Sequence, residues 1–95
     1  MRRYPEIEKN VISLMLEHRD IQKVYSRKLT VNDFSLEECR LALEAIQECQ
    51  ANNLHLDVPV AFQKYELTNV ISYETFIDKS KIKLWFEVLR QSSVK

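Results

Sequence analysis

Glycine is absent from this chain of 95 residues, which limits the turns and loops that it can form. Glycine adopts positive φ angles most readily, so a helix that ends in a left-handed residue must use another residue here. Asn52-Asn53 follows a predicted helix and supplies such an end, since Asn tolerates this conformation better than other residues. Without glycine, the loops that cradle nucleotide phosphates cannot be built, which excludes nucleotide hydrolysis by this chain.

The composition indicates one small domain. Hydrophobic residues make up 45%, and 14 basic residues balance 14 acidic ones, so the formal net charge is zero. This balance argues against a protein whose main task is to neutralise nucleic-acid phosphates, so direct binding of nucleic acid is expected to be weak or absent. No apolar run approaches the length of a membrane span, and no apolar segment follows the arginines near the start. We expect a cytoplasmic protein with no membrane association.

Apolar residues recur with the 3.6-residue period of helices along most of the chain. The first helix is predicted over residues 6–18, with Val11 and Met15 on its inward stripe. A second is predicted over residues 21–28, a third from residue 36 with Leu43 and Ile46 inward, and others over 57–65, 73–77 and 81–91. The predicted fold is all-α, a compact bundle of about six helices.

Capping signals mark two helix starts. Ser35 is followed three residues later by Glu38, the pattern of a capping box, so the third helix is predicted to begin at Leu36. Phe34 stands just before this cap, in the staple position, and is expected to pack on the first helical turn. Asp57, two residues before a proline, is predicted to cap the fourth helix.

No residue combination indicates chemistry. Cys39 and Cys49 lie about 15 Å apart along one helix, too far for a disulfide, and are predicted to be core residues in a reducing compartment. His18 and His55 lack companions at metal-binding spacing. We therefore predict no catalytic residues, no cofactor and no metal.

The last predicted helix is apolar on two faces. Such a helix is either wholly buried in its own domain or packs against another molecule, and the pattern leaves both alternatives open. One face carries Ile82, Trp85, Phe86 and Leu89, and the other carries Leu84 and Val88.

Five short segments together resemble the N-terminal domain of DnaB-type replicative helicases. These are PEIE at residues 5–8, VISLML at 11–16, DF at 33–34, RLALEAI at 40–46 and LDV at 56–58. The spacing between the third and fifth segments fits the family without a gap. The chain departs from the family at the end of the third helix, where members usually have a glycine.

The same segments also resemble the helicase-binding C-terminal domain of DnaG-type bacterial primases, which shares this fold. The resemblance there runs through Glu8, Met15, Arg19-Asp20, Phe34, Glu37-Glu38 and Arg40. The proline and acids lie close to Met1, as expected for the beginning of a helicase, whereas the primase module ends a long chain. This favours the helicase, of bacterial or phage type, and keeps the primase as the alternative.

The resemblance to the helicase implies an organisation and a set of partners. A globular head over about residues 1–66 would be followed by a helical hairpin over about 67–95, and paired hairpins would make a dimer, or a hexameric collar in the parent protein. The collar would bind primase, and sometimes a helicase loader, during DNA replication. The parent would be an ATP-dependent helicase, while this domain would have no chemistry of its own. The implied interface residues are Tyr73, Phe76, Ile82, Trp85, Phe86 and Leu89.

A second alternative comes from the basic residues. The basic residues that could contact phosphates in a small DNA-binding regulator are Arg2, Arg3, Arg27, Lys28, Lys79, Lys81 and Lys83. The neutral total charge and the lack of a glycine-containing helix-turn-helix argue against this alternative.

Overall fold

The computed structural model describes residues 4–65 and 79–93. The helix predicted over residues 73–77, with Tyr73 and Phe76, lies outside the described residues. Within them the chain forms helices and turns without any strand, so the predicted all-α class is confirmed. The elements are α1 (Pro5–Glu17), α2 (Arg19–Lys28), a 3-10 turn (Val31–Asp33), α3 (Glu37–Ala51), α4 (Val58–Tyr65), a second 3-10 turn (Lys79–Lys81) and α5 (Ile82–Ser93).

Helix α1 is the central element of the fold. Residues 11–16 are all buried, with Val11 and Met15 fully inaccessible, and the helix contacts α2, α3 and α5. Six consecutive buried residues cover the whole circumference of a helix, which has 3.6 residues per turn. The other helices are therefore arranged around α1.

The core joins α1 to residues from α3 and from the segment before it. Phe34, Leu43 and Ile46 lie in it with at most 1% of their surface exposed. Each such side chain contributes about 1.5–3 kcal/mol through removal from water. The core also includes Ala42 and Ala45 of α3, which allow close approach of the neighbouring helices.

The start of α3 differs from the prediction. The helix begins at Glu37 after Leu36, and no side chain of its own segment caps it. Both carboxylate oxygens of the buried Glu8 face this point: Oε1 accepts the N–H of Ser35 at 2.7 Å and that of Leu36 at 3.0 Å, and Oε2 accepts the Ser35 hydroxyl at 2.6 Å. The predicted capping box between Ser35 and Glu38 is wrong, because a carboxylate from α1 takes these donors.

A capping box does form in the turn before α3. Oδ2 of the buried Asp33 accepts the N–H of Thr30 at 2.8 Å, and the Thr30 hydroxyl lies 3.4 Å from the same oxygen. The guanidinium of Arg90 reaches this oxygen from α5 at 3.4 Å and also donates to the carbonyl of Lys28 at 3.2 Å. The turn thus attaches α5 to the connection between α2 and α3.

The end of α3 follows the prediction made from the missing glycine. Asn53 has a φ of 58°, the left-handed conformation. The Leu54 N–H donates to the Cys49 carbonyl at 2.8 Å and the Asn53 N–H to the Gln50 carbonyl at 3.0 Å, the two bonds of a Schellman motif. Asparagine therefore takes the left-handed position that glycine usually occupies in this motif.

Asp57 caps α4, as predicted. Its Oδ1 accepts the N–H of Val60 at 3.0 Å, and Pro59 occupies the first turn, where its missing N–H costs no hydrogen bond.

A fully buried glutamine links α2 to the segment that follows α3. The Gln22 amide donates to the carbonyls of Met15 at 2.9 Å and Leu56 at 2.8 Å, while its oxygen accepts the N–H of Leu56 at 2.9 Å and the amide of Gln50 at 2.7 Å. All four hydrogen-bonding positions of the side chain are used. Apolar periodicity did not predict this residue, because its role is to satisfy buried backbone groups.

Candidate interaction surfaces

Helix α5 uses its first apolar face inside the domain. Ile82 is 8% exposed and Leu89 is 1% exposed, because α5 lies against α1 and the 3-10 turn before α3. Both residues belong to the core and have almost no surface to offer a second subunit. Contact of Ile82 and Leu89 with a second subunit stays a prediction, and their burial makes the more exposed residues of α5 the better candidates for an interface.

The aromatic residues of this face lie at the edge of the core. Trp85 and Phe86 are both half-buried and pack against core residues. The Phe86 ring meets the ring of Tyr25 edge to face, with centroids 5.2 Å apart, and the ammonium of Lys28 lies 6.0 Å from the Phe86 centroid. Phe86 therefore joins α5 to α2, and part of each aromatic side chain remains accessible.

The second face of α5 points away from the core. Leu84 is 58% exposed, and Val88, one helical turn further on, is half-buried. Trp85 borders the same side, so these three residues span about 100° of the helix circumference. We call Leu84, Trp85 and Val88 the outer stripe of α5.

A basic groove runs between α2 and the end of α3. Arg19, Lys23 and Arg27 are spaced four residues apart, so they line one side of α2, and all three are exposed. The groove has a volume of about 190 Å³ near the α3 end, and an adjoining depression shares Arg27 with it. The opposite wall consists of Gln50, Asn53, Leu54 and His55.

Burial makes the Cys39 thiol a poor nucleophile. Burial raises the pKa of the Cys39 thiol to about 12, and the nearby charge of Glu8 acts in the same direction. Cys39 therefore stays protonated at neutral pH, and Cys49 is half-buried. Nε2 of His55 lies 3.1 Å from the carbonyl of Leu16, and its Nδ1 is buried with no hydrogen-bond partner among the described residues.

Residues 4–65 and 79–93 contain no group of three or more His, Cys, Asp or Glu side chains that could hold a metal ion. In the same ranges, no helix has the length and apolar character needed to cross a membrane.

These observations define a small all-helical domain with two notable surfaces, the apolar outer stripe of α5 and the basic groove between α2 and α3. Residues 2–89 match the family model of the DnaB-like helicase N-terminal domain. The chain belongs to this family, as the resemblance in the sequence indicated. Comparison with curated proteins and with solved structures finds no match.

Proposed function

We propose that this domain is a non-catalytic assembly module of a bacterial or phage replicative helicase, which pairs with other copies and docks primase. The family match supports a role as the N-terminal domain of a helicase. Collar formation, the dimeric or hexameric state and the docking of primase or a loader are the proposed details. The outer stripe of α5 carries the proposal.

The outer stripe suits self-association because much of its apolar surface remains accessible. Leu84 is 58% exposed, and Trp85 and Val88 are only half-buried, whereas Ile82 and Leu89 on the other face of the helix lie in the core. A second copy that covers Leu84, Trp85 and Val88 would remove this apolar surface from water. Tyr73 and Phe76 remain predicted members of the same interface.

The test combines size-exclusion chromatography with light scattering. The unsubstituted 95-residue chain is expected to run as a dimer or larger species. Leu84→Asp is expected to shift it to the monomer, because a carboxylate in an apolar interface is strongly unfavourable. Leu41→Asp is the matched control: Leu41 is 50% exposed on α3, away from the stripe, and its change should leave the mass unaltered. An unsubstituted chain that stays monomeric at high concentration would contradict the proposed pairing.

Primase binding is tested separately, by pull-down with purified primase and with a purified helicase ring. Capture of primase supports the helicase role, whereas capture of the ring and not of primase supports the alternative, a primase-derived domain. A salt-dependent gel shift would favour the DNA-binding regulator instead. Lys79 is one of the proposed phosphate contacts of that regulator, but its Nζ already forms a salt bridge with Oδ2 of Asp20 at 3.3 Å.

A further inference from the structure

The stability of the domain does not account for the basic side of α2. Arg19 is the first residue of α2, where a positive charge opposes the helix dipole. Lys23 lies four residues from both Arg19 and Arg27, and like charges at this spacing repel by a few tenths of a kcal/mol. No acidic side chain of the described residues forms a salt bridge with any of the three. Arg27 stands in the last turn, where its charge suits the helix dipole, but the charges of Arg19 and Lys23 are unfavourable in the isolated domain, and an anionic partner would relieve them.

An exposed leucine lies on the opposite wall of the same groove. Leu54 follows the left-handed Asn53, at the position of a Schellman motif whose apolar side chain usually packs back on the helix. Here it remains 60% exposed. The groove therefore combines three cations with one apolar contact point, and no acidic residue lines it.

We propose that the groove between α2 and the end of α3 docks an acidic amphipathic segment of a partner protein. Arg19, Lys23 and Arg27 would receive carboxylates, and Leu54 would contact an apolar side chain of the ligand. The three cations extend over about 12 Å along α2, which corresponds to about two turns of a bound helix. Arginine favours carboxylates, which it can bind through two parallel hydrogen bonds.

A protein segment fits this surface better than a nucleic acid does. The whole chain has a net charge of zero, so no broad positive field would attract a polyphosphate backbone. The groove lining holds no Phe, Tyr or Trp on which a base could stack, and the one aromatic ring there, His55, has its Nε2 3.1 Å from the Leu16 carbonyl and its Nδ1 buried. The proposal depends only on this groove and is independent of assembly through α5.

The binding test uses a fluorescein-labelled helical peptide built from Glu and Leu, measured by fluorescence anisotropy with the full chain. Saturable binding that weakens as salt rises is expected, because exposed ion pairs are screened. The same peptide with Gln in place of Glu should bind at least about tenfold more weakly, since it offers no carboxylates to the arginines. Absence of saturable binding, or equal binding of the two peptides, overturns the proposal.

Paired variants locate the site. Arg19→Glu with Lys23→Glu is expected to weaken binding at least about tenfold, whereas Lys81→Glu with Lys83→Glu, the same charge change at exposed positions before and in α5, should leave it unchanged. Circular dichroism verifies that both variants are folded. Equal losses in both pairs would indicate nonspecific attraction and overturn the proposal.

The apolar contact has its own control. Leu54→Ser is expected to weaken binding several-fold, and Leu41→Ser, at a similarly exposed leucine of α3, should not.

A single-stranded oligothymidine tests whether the groove binds nucleic acid instead of an acidic peptide. If it binds through Arg19 and Lys23 more tightly than the acidic peptide, the groove is a nucleic-acid site and the proposal is wrong.

Discussion

One carboxylate in α1 determines how α3 begins. Glu8 is 1% exposed and accepts three hydrogen bonds from Ser35 and Leu36, which stand 27 and 28 residues away. A negative charge at this place also faces the positive end of the α3 dipole. Bonds from N–H and O–H groups to a carboxylate are stronger than those between neutral groups, and both the N–H and the hydroxyl of Ser35 donate to Glu8, so Ser35 is held by α1.

Glu8→Gln should lower the free energy of unfolding by about 1–3 kcal/mol. The amide keeps one acceptor oxygen but turns an NH₂ group toward donors, so at least one of the three bonds is lost, together with the charge. Urea denaturation monitored by circular dichroism measures the change. Glu6→Gln, on the exposed side of the same helix, is the control and should alter stability by less than about 0.5 kcal/mol. Equal effects of the two variants would contradict the capping role of Glu8.

At the level of single residues, short sequence patterns predicted only those features that depend on contacts between residues close in the sequence. Asp57 caps the helix that immediately follows it, and Asn53 takes the left-handed position at the end of its own helix. Ser35 carries an equally good local pattern, yet its partner comes from another helix. Gln22 likewise bonds Leu56, 34 residues away, and no short window of sequence contains both groups.

Among the elements, α3 shows how a helix ends in a chain without glycine. Asn53→Gly should raise the free energy of unfolding by about 0.5 kcal/mol, because glycine has no Cβ to strain at a φ of 58°. Asn53→Ala should lower it by about 1 kcal/mol. Urea denaturation again measures both changes.

Asn52→Gly is the matched control for this prediction. Asn52 has a φ of −98°, which any residue adopts. Glycine there adds freedom to the unfolded chain and removes the exposed hydrogen bond from the Asn52 amide to the Glu48 carbonyl at 3.0 Å, so it should not stabilise the domain. If Asn52→Gly raised the free energy of unfolding as much as Asn53→Gly, the left-handed backbone at position 53 would not be the cause of the stabilisation.

Helix α5 shows what periodicity predicts and what it cannot. Its two apolar faces are recognisable in the sequence, and the helix forms close to its predicted bounds. Which face the domain itself covers depends on how α1 and the turn before α3 are arranged, and that is a property of the whole fold. The structure assigns Ile82 and Leu89 to the core, and the outer stripe becomes the proposed interface.

For the molecule as a whole, the two faces of α5 have separate roles. The buried face stabilises the fold, and the outer stripe is the proposed surface for assembly. Leu89→Ala should lower the free energy of unfolding by about 2–5 kcal/mol, since it leaves a cavity among fully buried residues. Leu84→Ala should change the stability of the monomer by less than about 0.5 kcal/mol. Thermal and urea unfolding at low protein concentration measure both variants. Comparable losses in the two would mean that both faces of α5 are structural.

The contact between Glu8 and the start of α3 also bears on cooperativity. The amide protons of Ser35 and Leu36 are held by a side chain of α1, so detachment of α1 takes away the protein acceptors of the two amides that lead into α3. We therefore expect undocking of α1 to promote fraying at the start of α3. Coupling of this kind makes local opening at that end of α3 more costly in a small domain without disulfides.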